Sequence, residues 1–389
     1  MPKIEAFAHN GISIERQPTP PPMGPLGGII LGLVGTAPDA DISLAKNTPI
    51  RIANMSDAAK LDTSGEEKGT LWRTCYELFR LVSVPIYAVI VEDGDDVAAT
   101  TANVIGKVDA NTGQRLGIEA LADCMETPTH IAAPGFSTKA VADALAAMGK
   151  RLFAIAVGDG PNTNDIDAVA FSQSLGGEGT GYEGFYLVDP QVAVYSQAAK
   201  GNVYFSAAAA ALSCFARVSA WESPTKGGMG ALIQGTARSI DYNIMDKSTN
   251  GGLLNSNGIS YFARTSMGGF SLIGNRCVTG RFVSQVGLEY AIIRKLAQTA
   301  QAAMGRNLSK SLMDQEITKL NYWLKSLQAD ETLMGAEVYL HPTLNNVENY
   351  TNGEWHIAIK YYGFAPNEHM VYHMIEDTGI VESFIEQVL

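Results

Sequence analysis

At 389 residues, 46% apolar and 17% charged, the chain has the composition of an ordered globular protein with room for two or three domains. A formal net charge of −12 argues against nucleic acid and anionic membrane as partners, because both reward lysine and arginine. Cys75, Cys124, Cys214 and Cys277 contain no C-x-x-C pair, which points to reduced thiols in a cytosolic setting rather than a disulfide framework or a zinc site.

The opening "MPKIEAFAHNG" lacks the apolar core of a signal peptide, and no uncharged apolar run is long enough to span a bilayer. A soluble protein that begins in a cytoplasm is therefore expected. Residues 1–26 read as an extended arm. In "GISIERQ" Ile12 and Ile14 alternate with Ser13 and Glu15, a strand period that starts at Gly11, and the following "PTPPPMGP" forbids helix. Such a segment cannot bury itself and needs a surface elsewhere.

"GGIILGLVGTAP" predicts a buried strand, and a helix follows near Leu71–Leu81. "VPIYAVIVEDG" is apolar on both faces, the signature of a central strand. "HIAAPGF" predicts a strand and "STKAVADALAAMGKR" a helix capped by Ser137, with Val141, Leu145 and Met148 on one stripe. "LFAIAVGDG", "DIDAVAFSQSL" and "GFYLVDP" continue strand, helix, strand, and "VYFSAAAAALSCFARVSAW" reads as one long apolar helix. This order predicts a mostly parallel sheet covered by helices.

Beyond Trp221, "ESPTKGGMGALIQG" reads as a glycine-rich linker and 250–280 as strand and turn. Val283–Met304 and Ser309–Leu327 carry helical stripes that include Leu288, Ile292, Leu296, Leu312, Leu320 and Leu324. "EWHIAIKYY" sets Trp355, Ile357, Ile359 and Tyr361 on one strand face, and the tail after Pro366 begins as a second alternating strand. The expected division is an N-terminal arm at 1–26, an α/β domain at 27–222, an α+β domain at 223–366 and a C-terminal arm at 367–389. The fold class is thus α/β, and α+β taken as a whole.

Few residues offer chemistry. "GGFSLIGNRC" fails the G-x-S-x-G spacing of a nucleophile elbow, since glycine returns only at 274. It reads instead as a strand ending in a Gly274-Asn275 turn, with Arg276 free to pair with a carboxylate nearby or on a neighbour. On that reading Ser271→Ala is nearly silent and Gly274→Val damages folding or assembly. Arg276 would favour a Cys277 thiolate, but no histidine lies within 50 residues to act as its base. His369 and His373 stand four apart in "HMVYH"; on a helix they would share a metal, on a strand they lie about 13 Å apart. The glycines of "GGEGTGYEGF" precede no Lys-Ser/Thr, so the segment is a loop rather than a phosphate cradle. Asp93, Asp95, Asp96 and Asp159 cluster at strand ends, and an α/β hydrolase or metal-dependent enzyme using them is the alternative reading. The residues imply no cofactor. The strand-patterned arms are more telling, because an unpaired strand needs a sheet edge, and an edge on another copy builds rings or filaments.

Taken in order, "HNGISIERQ" running into "IILGLVGTAPDAD", then "IYAVIVEDGDD", "HIAAPGFSTKAVADALAAMGKRLFAIA", "GMGALIQGT" and "LLNSNGISYFARTSMGGFSLIGNRC" span nearly the whole chain. The ordered set resembles the tail sheath proteins of contractile bacteriophages, phage-tail-like bacteriocins and related contractile injection systems. "PTPPP" departs from that pattern. The resemblance implies a non-enzymatic structural subunit of the virion tail sheath, assembled in the host bacterial cytoplasm. It implies hexameric rings, stacked helically around a tail tube, that contract to drive the tube through the host envelope. Baseplate and tail terminator proteins would be further partners. By position, Gly11, Ile12 and Ile14 would form the strand of the N-terminal arm and Val371, Tyr372 and Ile375 that of the C-terminal arm, each pairing with a neighbouring subunit.

Overall fold

A computed structural model describes residues 23–176, 179–228, 232–266 and 268–389. The N-terminal arm, with Gly11, Ile12 and Ile14, lies outside the described residues. The chain divides into two compact units, Gly28–Ala291 with Ala365–Leu389, and Ile292–Phe364 with residues 23–27.

The larger unit begins with β1 (Leu31–Thr36), β2 (Pro49–Ile52), the single turn α1 (Met55–Ala58), α2 (Leu71–Phe79), β3 (Ile86–Val91) and α3 (Val97–Ile105). β4 (His130–Ala132), α4 (Lys139–Leu152), β5 (Ile155–Asp159), α5 (Asp165–Ser174) and β6 (Phe185–Val188) continue the expected alternation. Next come β7 (Val192–Ser196), β8 (Gly201–Phe205), α6 (Ala207–Phe215), α7 (Pro224–Gly227), β9 (Gly235–Thr236) and α8 (Asn250–Ser256). β10 (Ile259–Arg264), β11 (Phe270–Ile273) and α9 (Val283–Ala300) follow, and α9 runs through the division between the units.

Eight strands form one sheet in the order β2-β3-β1-β4-β5-β6-β10-β11. The six from β3 to β10 are parallel, while β2 and β11 close the two edges antiparallel. Period-two alternation explains how this sheet is covered. Leu31, Leu33, Ile86, Ala88, Ile90 and Val157 share one apolar cluster with α2 and α6. Val34, Val89, Val91, Ile131 and Ala156 join the other cluster with Val141, Leu145 and Met148 of α4. Every residue of β1 and β3 is buried, as strands sandwiched between helices must be.

The structure corrects four of the expectations. Residues 223–291 do not open a second domain: β10 pairs in parallel with β6, so the division falls within α9. The supposed linker holds α7, capped by Ser223, and Gly228 accepts the Leu272 N–H of β11 at 3.3 Å. The long apolar helix is split, because Val203 and Phe205 belong to β8, a hairpin partner of β7, and α6 starts only after Ser206 caps Ala209. α4 is capped by Thr138 rather than Ser137; its extended backbone turns the hydroxyl toward the Val141 N–H.

The smaller unit packs α10 (Lys310–Ala329) against the hairpin of β12 (Leu333–Leu340) and β13 (Ile357–Gly363), with α11 (Val347–Thr351) in the connection. Leu312, Leu320, Trp323, Leu324 and Leu327 form the buried stripe of α10, and Leu333 and Val338 are the buried residues of β12. The Trp323 indole N–H donates to the Gly24 carbonyl at 3.1 Å, which ties residue 24 to this unit.

Candidate inter-subunit surfaces and the acidic strand ends

Asp159 ends β5 and is buried beneath the start of α6. One carboxylate oxygen accepts the Ala208 N–H at 2.9 Å; the other accepts the Gly135 N–H at 2.8 Å and the Ser206 hydroxyl at 2.6 Å. Burial pushes its pKa up, and these donors oppose that push. The other acidic candidates sit elsewhere. Asp96 caps α3 by accepting the Ala99 N–H at 2.7 Å, Asp93 accepts the Thr100 hydroxyl at 3.1 Å, and Asp95 is exposed. Three strand spacings separate the ends of β3 and β5, about 14 Å, which is too far for one metal or one reacting atom.

A cleft of ≈ 380 Å³ lies at the carboxyl ends of β1 and β4, where the strand order reverses; its lining includes Thr70, Gly135, Tyr204 and Ser206. Its charges are satisfied internally: Arg73 pairs with Glu67, both nearly buried, and Glu67 also accepts the Gln197 N–H at 3.1 Å. Among the described residues no cluster of His, Cys, Asp and Glu could hold a metal, and no helix is long and apolar enough to cross a membrane. His369 and His373 lie exposed in a stretch with neither helix nor strand, so the four-residue spacing does not bring them onto one helical face.

"GGFSLIGNRC" holds the edge strand β11 and the residues that leave it, with Arg276 in an isolated bridge to Phe282. Ser271 is buried and its hydroxyl pairs with that of Thr265 at 3.1 Å. Gly274 has φ +131° and its carbonyl accepts the Tyr186 hydroxyl at 2.7 Å. Asn275 accepts from the hydroxyls of Ser223 and Thr225, and Arg276 meets Glu368 at 2.6 Å. Burial pushes the Cys277 thiol up to about 12, and the thiols of Cys75, Cys124 and Cys214 also rise to about 12. A thiol with that pKa is ionised to only about one part in 10⁵ near neutrality. Aromatic disulfide reagents are accordingly expected to label the native protein slowly and all four cysteines promptly in denaturant. Fast native labelling of Cys277, located by peptide mass, would contradict its burial.

Two surfaces stand out among the described residues. β12 and β13 pair only with each other among the described residues, so each has an open edge. Every residue from Asn367 to Leu389 is exposed, with Val371, Tyr372 and Ile375 at 64%, 76% and 86%. The expected strand there is not formed, since a strand needs a partner and the tail pairs with no strand among the described residues. The last residues form instead a helix, α12 (Gly379–Val388), that leaves Ile380, Phe384 and Ile385 exposed. A run of bare apolar side chains that long marks a contact surface.

No family model matches the chain. It is 28% identical over 353 residues to the putative prophage major tail sheath protein of Pseudomonas aeruginosa (strain UCBPP-PA14), covering 87% of this chain and 88% of that one. It is 25% identical over 362 residues to the tail sheath protein of Escherichia phage P2, covering 88% of each. Along most of its length the chain is thus similar to tail sheath proteins of a prophage and of a phage.

The fold agrees. A sheath chain from the extracellular contractile injection system PVC, in the contracted state, superposes with a TM-score of 0.71 at 16% identity, over 96% of this chain and 99% of that one. The contracted helical sheath of the anti-feeding prophage gives 0.64 at 16% identity, over 95% and 99%. These relatives and neighbours are structural sheath proteins and not enzymes, and in this chain Asp96 and Asp159 hold the starts of α3 and α6. Sequence reasoning missed β12, whose half-buried residues blur the alternation, and with it the open hairpin. The signal available was the run "TLMGAEVYLH", rich in strand formers, directly after a helix.

Proposed function

We propose that the sheath subunit assembles as hexameric rings, stacked helically around a tail tube, between a baseplate and a tail terminator, and contracts to drive the tube through the host envelope. The observation that carries this is the pairing of an exposed apolar tail with a hairpin open on both edges in a tail-sheath chain. In this reading the strand formers around Val371, Tyr372 and Ile375 leave the subunit and add to the β12–β13 edge of a neighbour. The N-terminal arm around Gly11, Ile12 and Ile14 does the same. Main-chain hydrogen bonds fix the register of such an added strand but leave its root free to turn, so joined subunits can repack. The energy of contraction then lies in the difference between two packings and needs no nucleotide. The sequence relatives come from a prophage and phages, which favours a phage tail over another injection system.

Negative-stain microscopy of the purified protein tests the assembly. Rings or tubes are expected from the full chain at high concentration, and soluble folded monomers from a chain ending at Ala365. A full chain that stays monomeric, or a shortened chain that still builds tubes, would overturn the proposal.

A further inference from the structure

The C-terminal tail is not loose from its first residue. Glu368 faces Arg276, which donates to it from Nε at 3.1 Å to each carboxylate oxygen and from Nη2 at 2.6 Å. That geometry is bidentate, the strong form of the arginine–carboxylate pair. Arg276 is already held before Glu368 arrives. Its guanidinium stacks 4.0 Å from the Phe282 ring centroid, and Nη1 donates to the Gly280 carbonyl at 2.7 Å. The loop that carries it is closed by the Cys277 N–H to Arg281 carbonyl bond at 2.9 Å and the Val283 N–H to Asn275 carbonyl bond at 2.9 Å. An arginine fixed in this way gives up little side-chain freedom when it captures a carboxylate. A cavity of ≈ 20 Å³ beside the pair, lined by Asn255, Ser260, Gly274 and Asn275, has room for about one water.

We infer that Arg276 and Glu368 form a releasable clasp that sets where the C-terminal tether begins. Closed, the clasp roots the free tail at Glu368, on the loop after β11. Open, the first fixed point is the end of β13 at Gly363, and residues 364–368 join the tether. Five residues add about 17 Å of reach at full extension. Half-exposed as they are, at 38% and 36%, the two side chains are within reach of salt and of competing charges. A tether of adjustable length lets neighbours stay joined while their separation changes. Arg276 is thus a positioning residue for the tail. The functional weight of the clasp rests on the sheath proposal, while its existence does not.

Limited thermolysin digestion of the full chain, with fragments mapped by mass, separates the two. In the wild type, cleavage is expected among residues 370–389, with protection around Phe364. Arg276→Gln and Glu368→Gln are each expected to raise cleavage at Phe364 roughly two- to fivefold, the range of a partly exposed pair. Added salt should raise it in the wild type and leave the variants unchanged. The exchanged pair R276E/E368R should restore protection, which a merely misfolded loop would not do. Equal cleavage at Phe364 in all of these would overturn the clasp. If the digestion behaves as expected but the wild type builds no tubes, the sheath proposal fails and the clasp stands.

Discussion

Asp159→Ala is expected to remove a large part of the stability of the larger unit. The carboxylate joins three separate pieces of chain, the Gly135 turn after β4, the end of β5 and the first turn of α6. Alanine strands the buried N–H of Ala208, takes the partner from the part-buried N–H of Gly135, and removes the partner of the Ser206 hydroxyl that caps α6. Each buried donor left unpaired costs about 1–3 kcal/mol, so a total loss on the order of 4 kcal/mol is expected. Domains as a rule have only about 5–15 kcal/mol of stability. Asp159→Asn should recover part of the loss, because its amide oxygen still accepts on one side while its NH₂ meets a donor on the other. Soluble yield and the urea midpoint measure both variants. A loss below about 1 kcal/mol for alanine would mean that water replaces the carboxylate, against its burial.

Gly274→Val is the second large effect. At φ +131° an L side chain is strained, and a Cβ there would lie 2.2 Å from the Ser260 Oγ and 3.0 Å from the Ser260 Cα. Strain and overpacking each cost about 1–3 kcal/mol. Relief of the clash moves the Gly274 carbonyl off the Tyr186 hydroxyl and disturbs the turn that carries Arg276. Ser271→Ala, three residues away, is expected to cost no more than about 1 kcal/mol, since only the Thr265 hydroxyl loses its partner and that residue is half-exposed. Thermal melts of the two variants give the contrast. Ser260→Ala in the Gly274→Val background should recover some stability, because it removes the nearest clashing atom but not the backbone strain. A double variant no better than Gly274→Val would assign the cost to backbone strain and to the remaining clash with the Ser260 Cβ at 2.7 Å.

The parallel sheet was legible because its signals are local. β1, β3, β5 and β6 announce themselves by apolar residues on both faces, and α4 by a stripe whose spacing needs no knowledge of its neighbours. β8 was misread as helix because Val203–Phe205 run straight into an alanine-rich stretch, and only the β7 hairpin decides the strand. β10 was given to the wrong domain because parallel pairing with β6 joins residues some 70 apart in sequence. The end of β11 near Gly274 was expected from residue type, and the need of Arg276 for a carboxylate from its charge. Which of 40 acidic residues answers it was not, because Glu368 is 92 positions away.

By itself the sequence determined the layer order of the sheet and, through its resemblance to tail sheath proteins, the structural role of the chain. Both rest on patterns of a few residues repeated in order. Only the tertiary structure decided that Asp159 is a keystone rather than a catalytic acid, that the division between units falls inside α9, and that the tail is rooted at Arg276. Each of these depends on contacts between segments distant in the chain, and hydrophobic period and turn chemistry carry no information about such contacts.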